Sequence, residues 1–414
     1  MIRSAWYSLT RPRGVGPMPR VRRRSRSGIA LLMVIAGVLL VSVLVTEMAR
    51  GATIRLELAA HYRDEVKAEG IARTGVQFYR LILMASKSLG KNPMVAQFGS
   101  ALGINGDTLW QIVPRINTTL LRMLFVSGGD LSEEEQAQVG SRDLDEGTRD
   151  ESREGGSLNR NFLDFDGDFS AEVTDETRFV YVGKLQATSF GEFLELPATQ
   201  QLLGLMARER YDDYLDEVGL DKYELIGNLA DWTDADDNRM YQGGSETTLY
   251  DRLDPPYKPK NAPFDTRDEI RLVEGWHLDG IWERVGRHLT IYGGGKVNVN
   301  SANQPVMFGL LSAFLEGNWS EQYIDQLVDL ISEKRGAPVS LGGVNFTSAQ
   351  HFKAWMEREL GVALKPQILQ AVATETSTFR VISIGEVGDA KVEIHTILDF
   401  TKNPTGETLY WSVR

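Results

Sequence analysis

Residues 29–46 (IALLMVIAGVLLVSVLVT) are eighteen consecutive uncharged residues, and they decide where the rest of this chain can fold. As a helix they rise about 27 Å, close to the hydrocarbon thickness of a bilayer. Eight arginines and no acids precede them, with Arg22, Arg23, Arg24 and Arg26 directly ahead. Basic residues on the N-terminal flank hold that end in the cytoplasm, so everything after Thr46 belongs on the far side. The expected placement is single-pass, with the N-terminus cytoplasmic and the bulk of the chain across the membrane.

Three kinds of segment could look like this. A cleaved secretory signal has an apolar run of about 7–15 residues with a small-x-small site after it. This run is longer, and Glu47-Met48-Ala49-Arg50 offers no such site. A plain signal anchor satisfies the physics. A prepilin-type leader is cut ahead of the apolar run, and Gly28 followed by Ile29-Ala30-Leu31-Leu32 has that form. The downstream sequence favours the third kind. From Glu47 to about Leu89 there is no proline, and Gly90 with Pro93 supplies a stop. Apolar positions recur at Ala59, Tyr62 and Val66, then at Ile71, Gly75, Phe78 and Ile82, in steps that stripe a helix. A membrane span that continues unbroken into an amphipathic helix is a stem. Gly28 and Ile29 are then the processing site.

The first 46 residues carry eight positive charges and no negative one. The remaining chain, with 37 basic and 57 acidic residues, carries −20. Such a domain repels nucleic acid and anionic lipid. Cysteine is absent, which excludes disulfides, thiol catalysis and thiolate metal sites.

Beyond the stem, residues 92–126 read as short helices and 127–160 as a polar, acidic, Gly-dotted loop. Strand character appears from Phe162 to Leu185, most clearly from Glu172 to Val182. Residues 197–232 and 303–374 read as helical, with an irregular, proline-rich stretch between them. The end is strongly β. Phe379 to Gly385 and Lys391 to Phe400 flank a turn at Gly388-Asp389, with Val392, Ile394, Thr396 and Leu398 alternating, and a last strand spans Glu407 to Val413. Strands far apart in sequence should therefore pair in one sheet, with a helical insertion projecting from it.

These features together resemble the K-type minor pseudopilins of bacterial type II secretion. The resemblance is carried by Gly28 before Ile-Ala-Leu-Leu, Ala68-Glu-Gly-Ile-Ala-Arg-Thr-Gly, and Leu229-Ala-Asp-Trp-Thr-Asp-Ala-Asp-Asp. It continues in Gly243-Gly-Ser-Glu-Thr, Pro256-Tyr-Lys-Pro-Lys-Asn, Glu269-Ile-Arg-Leu-Val-Glu-Gly, Lys296-Val-Asn-Val-Asn-Ser-Ala and Phe379-Arg-Val-Ile-Ser-Ile-Gly. It implies an α+β fold: a long transmembrane and stem helix packed on an antiparallel pilin-like sheet. A large, mainly helical insertion would contain a helix-hairpin-helix-like unit. The corresponding divisions are a leader (1–28), a span (29–46), a stem (47–90), a pilin-like part (91–195), the insertion (196–376) and closing strands (377–414). The implied role is assembly of a periplasmic filament at its tip, with no turnover. The implied partners are the I-type and J-type minor pseudopilins, a major pseudopilin beneath, a prepilin peptidase that also N-methylates, and inner membrane lipid. No nucleic acid is expected.

Most pilins place Glu at the fifth mature position, where this chain has Met33. A carboxylate in hydrocarbon is costly unless paired. A tip subunit has no neighbour above it to neutralise, and the K-type family shares this omission. Two departures stand out. The loop 127–160 is longer and more acidic than the family pattern. Asp175-Glu176 lacks the Gly-Lys-x-Asn-x-Asn that usually follows it.

Asp231, Asp234, Asp236, Asp237 and Asn238 fall within eight residues, with Glu246 shortly after. Hard oxygens in a turn-rich loop suit Ca2+, which takes about six to eight of them. The spacing is not that of an EF-hand, and a solvated acidic loop with Trp232 in the core remains open on the residues alone. The resemblance implies calcium in this region, with Asp231, Asp234, Asp236 and Glu246 as ligands and Asp237 and Asn238 as possible ones. Asp164-Phe-Asp-Gly-Asp168 is a second acidic turn that could also hold Ca2+ on its residues alone, and it reads better as an ordinary turn between strands.

Val297-Asn-Val-Asn-Ser-Ala-Asn ahead of paired helices resembles a unit that elsewhere touches DNA phosphates. In so acidic a domain it reads as a packing module, with Asn298 and Asn300 fixing the approach to a helix at Pro305. The five histidines are scattered, and no His-Glu-x-x-His, Gly-x-Ser-x-Gly or P-loop occurs. The alternatives to a tip pseudopilin are a minor pilin of a type IV pilus and a membrane-anchored DNA receptor using the hairpin unit.

Overall fold

The computed structural model describes residues 27–90, 109–112, 115–120, 166–337 and 342–414. The arginine leader and the acidic loop 127–160 lie outside the described residues. Two compact units divide the chain, residues 1–62 and 63–414.

Helix α1 spans Ser27–Gly90 and ends at the glycine expected to stop it. In the first unit its residues 29–50 are all exposed. Ile29, Leu32 and Met33 are among many large apolar side chains there with no protein partner. The most apolar 18-residue window has mean hydropathy 2.9 and none of it is buried. A core helix would hide such a face, whereas this one needs lipid or other helices. It is the one helix long and apolar enough to cross a membrane among the described residues.

In the second unit the rest of α1 lies on a sheet. The strands are β1 (Arg115–Asn117), β2 (Asp168–Asp175), β3 (Val180–Tyr181), β4 (Leu289–Thr290), β5 (Val297–Asn298), β6 (Val372–Ala373), β7 (Thr378–Val387), β8 (Ala390–Asp399) and β9 (Glu407–Val413). Five of them form one antiparallel sheet in the order β1-β2-β7-β8-β9. Alternation on β8 buries Val392, Ile394, Thr396 and Leu398, as the sequence pattern requires.

The buried face of the stem is Ala68, Ile71, Ala72, Val76, Tyr79 and Leu83. Ile71 and Gly75 of the expected stripe are buried and Phe78 and Ile82 half-buried, but Ala59, Tyr62 and Val66 are exposed. The large apolar letters misled because close approach to the sheet selects small residues. A Cβ on Gly385 would sit 2.1 Å from the Ala68 carbonyl oxygen, and one on Gly75 would sit 2.3 Å from Ser383 Oγ.

Strands β2 and β7 are neighbours in space, with Ala171 opposite Ser383 and Val173 opposite Val381. Everything from residue 176 to 377 leaves and re-enters the sheet between them. The insertion therefore begins earlier than the expected 196. Strand β3 pairs in parallel with β4 inside it, and Val180, Val182, Leu185 and Phe193 belong to its core. The β-rich stretch from Glu172 to Val182 is divided between β2 and β3 by a break at Asp175. There the carboxylate accepts from Thr177 N at 2.8 Å and caps a 3-10 turn over Glu176–Arg178.

The insertion is mainly helical, and α2 (Pro197–Leu205), α3 (Glu209–Val218), α4 (Lys222–Asp231), α5 (Gln304–Phe314) and α6 (Glu321–Gly336) all contribute to its core. Helices α2 and α5 cross with backbones almost touching, since a Cβ on Gly204 would lie 2.0 Å from Gly309 O. Helix α5 starts on Asn303, whose side chain accepts from Val306 N. Asn303 is thus the cap itself. Asn300, ahead of it, bonds backbone as expected, donating to Phe346 O and Thr374 O.

Asn298 has a different task. Its Nδ2 donates to Asp175 Oδ2 at 2.9 Å and to Thr376 Oγ1 at 2.8 Å. Asp175 Oδ2 also accepts from Thr376 and Ser301, so one buried carboxylate holds both ends of the insertion. Beside it, fully buried Glu176 accepts from Arg380 and Thr290 through Oε1, each at 2.6 Å. Asn298, from the Lys296-Val-Asn-Val-Asn run, thus reaches Asp175 from the middle of the insertion.

Candidate metal centre

Helix α4 and the turn after it build the centre. Asp221 caps the helix, accepting from Tyr223 N at 2.6 Å. Seven residues of the helix are buried, and Asp231 is its last. Trp232 follows as a core side chain, its indole N–H donating to Glu269 Oε1 at 3.0 Å and its ring edge-on to Tyr250. The chain then doubles back. Asn238 bridges Ser245, Arg239 N donates to Gly244 O, and Glu246 N donates to Asp237 O. Gly243 and Gly244 take the positive φ values that this reversal needs.

The reversal brings Asp231, Asp234 and Glu246 together. One oxygen from each lies within 4.8 Å of the other two. Asp231 and Glu246 are almost fully buried, 2% and 0% exposed. Asp231 Oδ1 accepts from Met240 N at 2.7 Å. Asp234 Oδ1 and both oxygens of Glu246 are buried with no hydrogen-bond partner.

Such an arrangement opposes ionisation. Burial, then the neighbouring acids, pushes the Glu246 carboxyl up to about 8. Burial pushes Asp231 up to about 7 and, with Asp236 nearby, Asp234 to about 6. Three carboxyls that resist losing their protons near neutrality are a poor stabilising cluster on their own. They suit a divalent ion well. Ca2+ holds oxygens at 2.3–2.6 Å, so two ligands on one ion are at most roughly 5 Å apart, matching this spacing. The orphaned oxygens are the acceptors an ion would use, and the all-carboxylate donor set selects a hard cation.

The other expected ligands serve the loop. Asp236 Oδ1 accepts from Asn238 N at 2.7 Å and Asn238 Nδ2 at 2.9 Å, an Asx turn. Asp237 accepts from Ser245 Oγ at 2.7 Å and from Thr247 N and Oγ1 at 3.0 and 2.8 Å, which holds its carboxyl below the usual range. Asp236, Asp237 and Asn238 therefore shape the turn, and only Asp231, Asp234 and Glu246 converge. Two supports were not anticipated. Asn261, at φ 49°, donates to Asp236 O, and Lys260 ties Asp265 to Glu269 beside the indole. The proline-rich run around them hinted at an ordered loop but not at its contacts.

Asp166 of the second acidic turn pairs with Lys67 at 3.3 Å, and Gly167 takes φ +133° ahead of β2. Asp164 lies outside the described residues. Gly28 and Ile29 sit exposed in the first turn of α1.

Comparison with known proteins bears on the same region. Residues 197–294, which contain the whole centre, match the family model for protein K of the type II secretion system. The type II secretion system protein K of Aeromonas hydrophila is 25% identical over 195 residues, 44% of this chain and 53% of that protein. The chain thus spans about half the length of the curated relative it matches. A solved complex of GspK, GspI and GspJ from the type 2 secretion system of enterotoxigenic Escherichia coli includes a chain that is 14% identical. It overlaps with a TM-score of 0.45, covering 60% of this chain and 80% of that one.

Proposed function

We propose that this chain is a protein K of type II secretion and the subunit at the tip of the pseudopilus. The observation that carries this reading is the joining of three parts in one chain. An exposed apolar helix runs on into a stem, the stem lies on an antiparallel sheet, and the sheet is interrupted by a protein K insertion. The apolar part suits a helix bundle in lipid. Met33 leaves the mature fifth position uncharged, as befits a subunit with none above it. The insertion adds bulk that an ordinary filament subunit could not stack past.

On this reading the stem assembles with I-type and J-type minor pseudopilins, and a major pseudopilin extends the filament below. A prepilin peptidase removes residues 1–28 and methylates Ile29. The chain initiates and caps the filament for export across the outer membrane, acting by assembly and not by turnover. Asp231, Asp234 and Glu246 hold Ca2+, which supplies the positive charge their burial demands. The protein's own part is to fix that turn, and with it the faces of the insertion built on α4.

Intact mass of the membrane form tests the reading. It should begin at methylated Ile29, and the mature chain should co-purify with I- and J-type stems. Retention of residues 1–28 would defeat it.

A further inference from the structure

The described surface of the second unit has one flank that is both apolar and cationic. Strand β9 is the edge of the main sheet, and among the described residues no strand pairs with its outer side. Trp411 lies opposite Thr396 and Val413 opposite Ile394, so both point to the side on which the stem lies. They are nevertheless 37% and 44% exposed. The stem borders them with Arg73 and Arg80. The Arg73 guanidinium stands 5.8 Å from the Trp411 ring, and Arg80 Nη2 donates to Thr408. Arg73 is paired with Glu69. Arg80 has no acid partner among the described residues, and its Nε is buried without a hydrogen bond.

We propose that this flank, made by β9 and the Arg73–Arg80 side of the stem, is the docking face for an amphipathic, acid-bearing stem helix of a partner pseudopilin. The proposal rests on the tip reading above and names the face that reading leaves open.

A helix fits better than an added strand. Thr408 opposes Leu398 and Tyr410 opposes Ile397, which leaves Leu409 as a bulge. A bulge on an edge strand breaks the regular ladder that another strand would need. The floor from Thr408 to Val413 is about 17 Å long, or roughly eleven residues of helix. Val66, Arg73 and Arg80 are spaced by seven along α1, so they share one flank at the spacing of a helix–helix seam. Charge sets the partner's chemistry. After residue 46 this chain is strongly acidic, and Arg80, with no acid partner among the described residues, stands at the Thr408 end of a flank that exposes Trp411 and Val413, which favours an apolar stripe carrying a carboxylate. A second copy of this chain in a two-fold contact would set Arg80 against its own equivalent.

The chain has no cysteine, so a single introduced thiol is unique. Full-length V413C is labelled with a benzophenone maleimide in membranes co-expressing the I-type, J-type and major pseudopilins. L81C, on an exposed part of the stem away from β9, is labelled in parallel. The expected result is a photo-adduct at V413C to the stem of one of these pseudopilins, identified by peptide mass. Adding R80E should cut its yield about tenfold, as like charges at a contact do. An acid-to-arginine change at the mapped partner position should restore it. An unchanged melting temperature for R80E excludes misfolding. Adducts at L81C but not at V413C would overturn the docking face and leave the tip reading intact. Adducts to no pseudopilin from either position would sink both. An adduct of V413C only to itself would overturn the partner assignment.

Discussion

Removing metal at two pH values tests the carboxylate centre most directly. In the unfolded chain Asp231 ionises near its ordinary value of 3.8, whereas in the fold burial holds it at about 7. Below about pH 4 the carboxyl is neutral in both states and costs nothing. As pH rises, the unfolded form ionises first, so stability falls until the folded carboxyl also ionises near 7. At 1.36 kcal/mol per pH unit, that one buried group removes about 4 kcal/mol by pH 8. Glu246, pushed to about 8, adds to the loss, though the three carboxyls interact and do not add threefold. Calcium needs the ionised ligands, so its benefit should grow with pH. Differential scanning fluorimetry of residues 47–414, metal-stripped and with millimolar calcium, should show a small gap at pH 5.5. At pH 8 the gap should be on the order of 10 °C. Glu246→Gln should raise the metal-free melting temperature at pH 8 and blunt the calcium response. A gap equal at both pH values, or a metal-free Glu246→Gln protein less stable than wild type at pH 8, would refute the reasoning.

Three further outcomes are expected. Gly28→Leu should block maturation, leaving a membrane form that retains residues 1–28 by intact mass; normal processing would contradict the prepilin leader. Gly385→Val forces a side chain into the Ala68 carbonyl, and overpacking of this kind costs about 1–3 kcal/mol or more. Urea unfolding followed by a stem probe should register that loss, and an unchanged midpoint would mean that the stem does not lie so close. Asp175→Ala strips the acceptor from Thr177, Asn298, Ser301 and Thr376, and at about 1–3 kcal/mol for each buried donor left unsatisfied it should cost several kcal/mol. Limited proteolysis should then cut near residues 176–180 before the insertion core is attacked; equal cleavage rates would deny Asp175 its tethering role.

The elements with a strong period were legible in the sequence. The apolar span, the stem and the C-terminal hairpin with its turn at Gly388-Asp389 each announce themselves locally. The acidic cluster was legible as a place but not as a ligand set. Five acids and one asparagine have similar letters, and only the reversal through Gly243-Gly244 decides which three converge. Asp237 is spent on Ser245 and Thr247, a choice made by backbone geometry that spacing cannot encode. The stem's buried face was misjudged for a related reason. Tyr62 and Val66 are apolar enough to stripe a helix, yet the seam runs through Ala68, Ala72 and Gly75, where smallness matters more than hydrophobicity.

The same distinction explains how an insertion of this size leaves the sheet intact. Strands β2 and β7 pair over eight residues although residues 176–377 separate them. Closing so long a loop is costly in entropy, though the cost grows only slowly with length. It is offset where the insertion folds on its own core and returns its ends to one point. Asp175 marks that point on the outgoing strand and Thr376 on the returning one, while Asn298 and Ser301 reach it from the middle of the insertion. Hydrogen bonds to one buried carboxylate fix geometry more sharply than an apolar contact can, because each donor must be in place. Glu176 and Arg380 repeat the device one residue further along. If the chain acts at a filament tip as proposed, such a junction would keep its bulky head in a fixed relation to its stem. The sheet supplies the footing, the polar knot sets the orientation, and α4 with its acidic turn lies within the part that matches the protein K model.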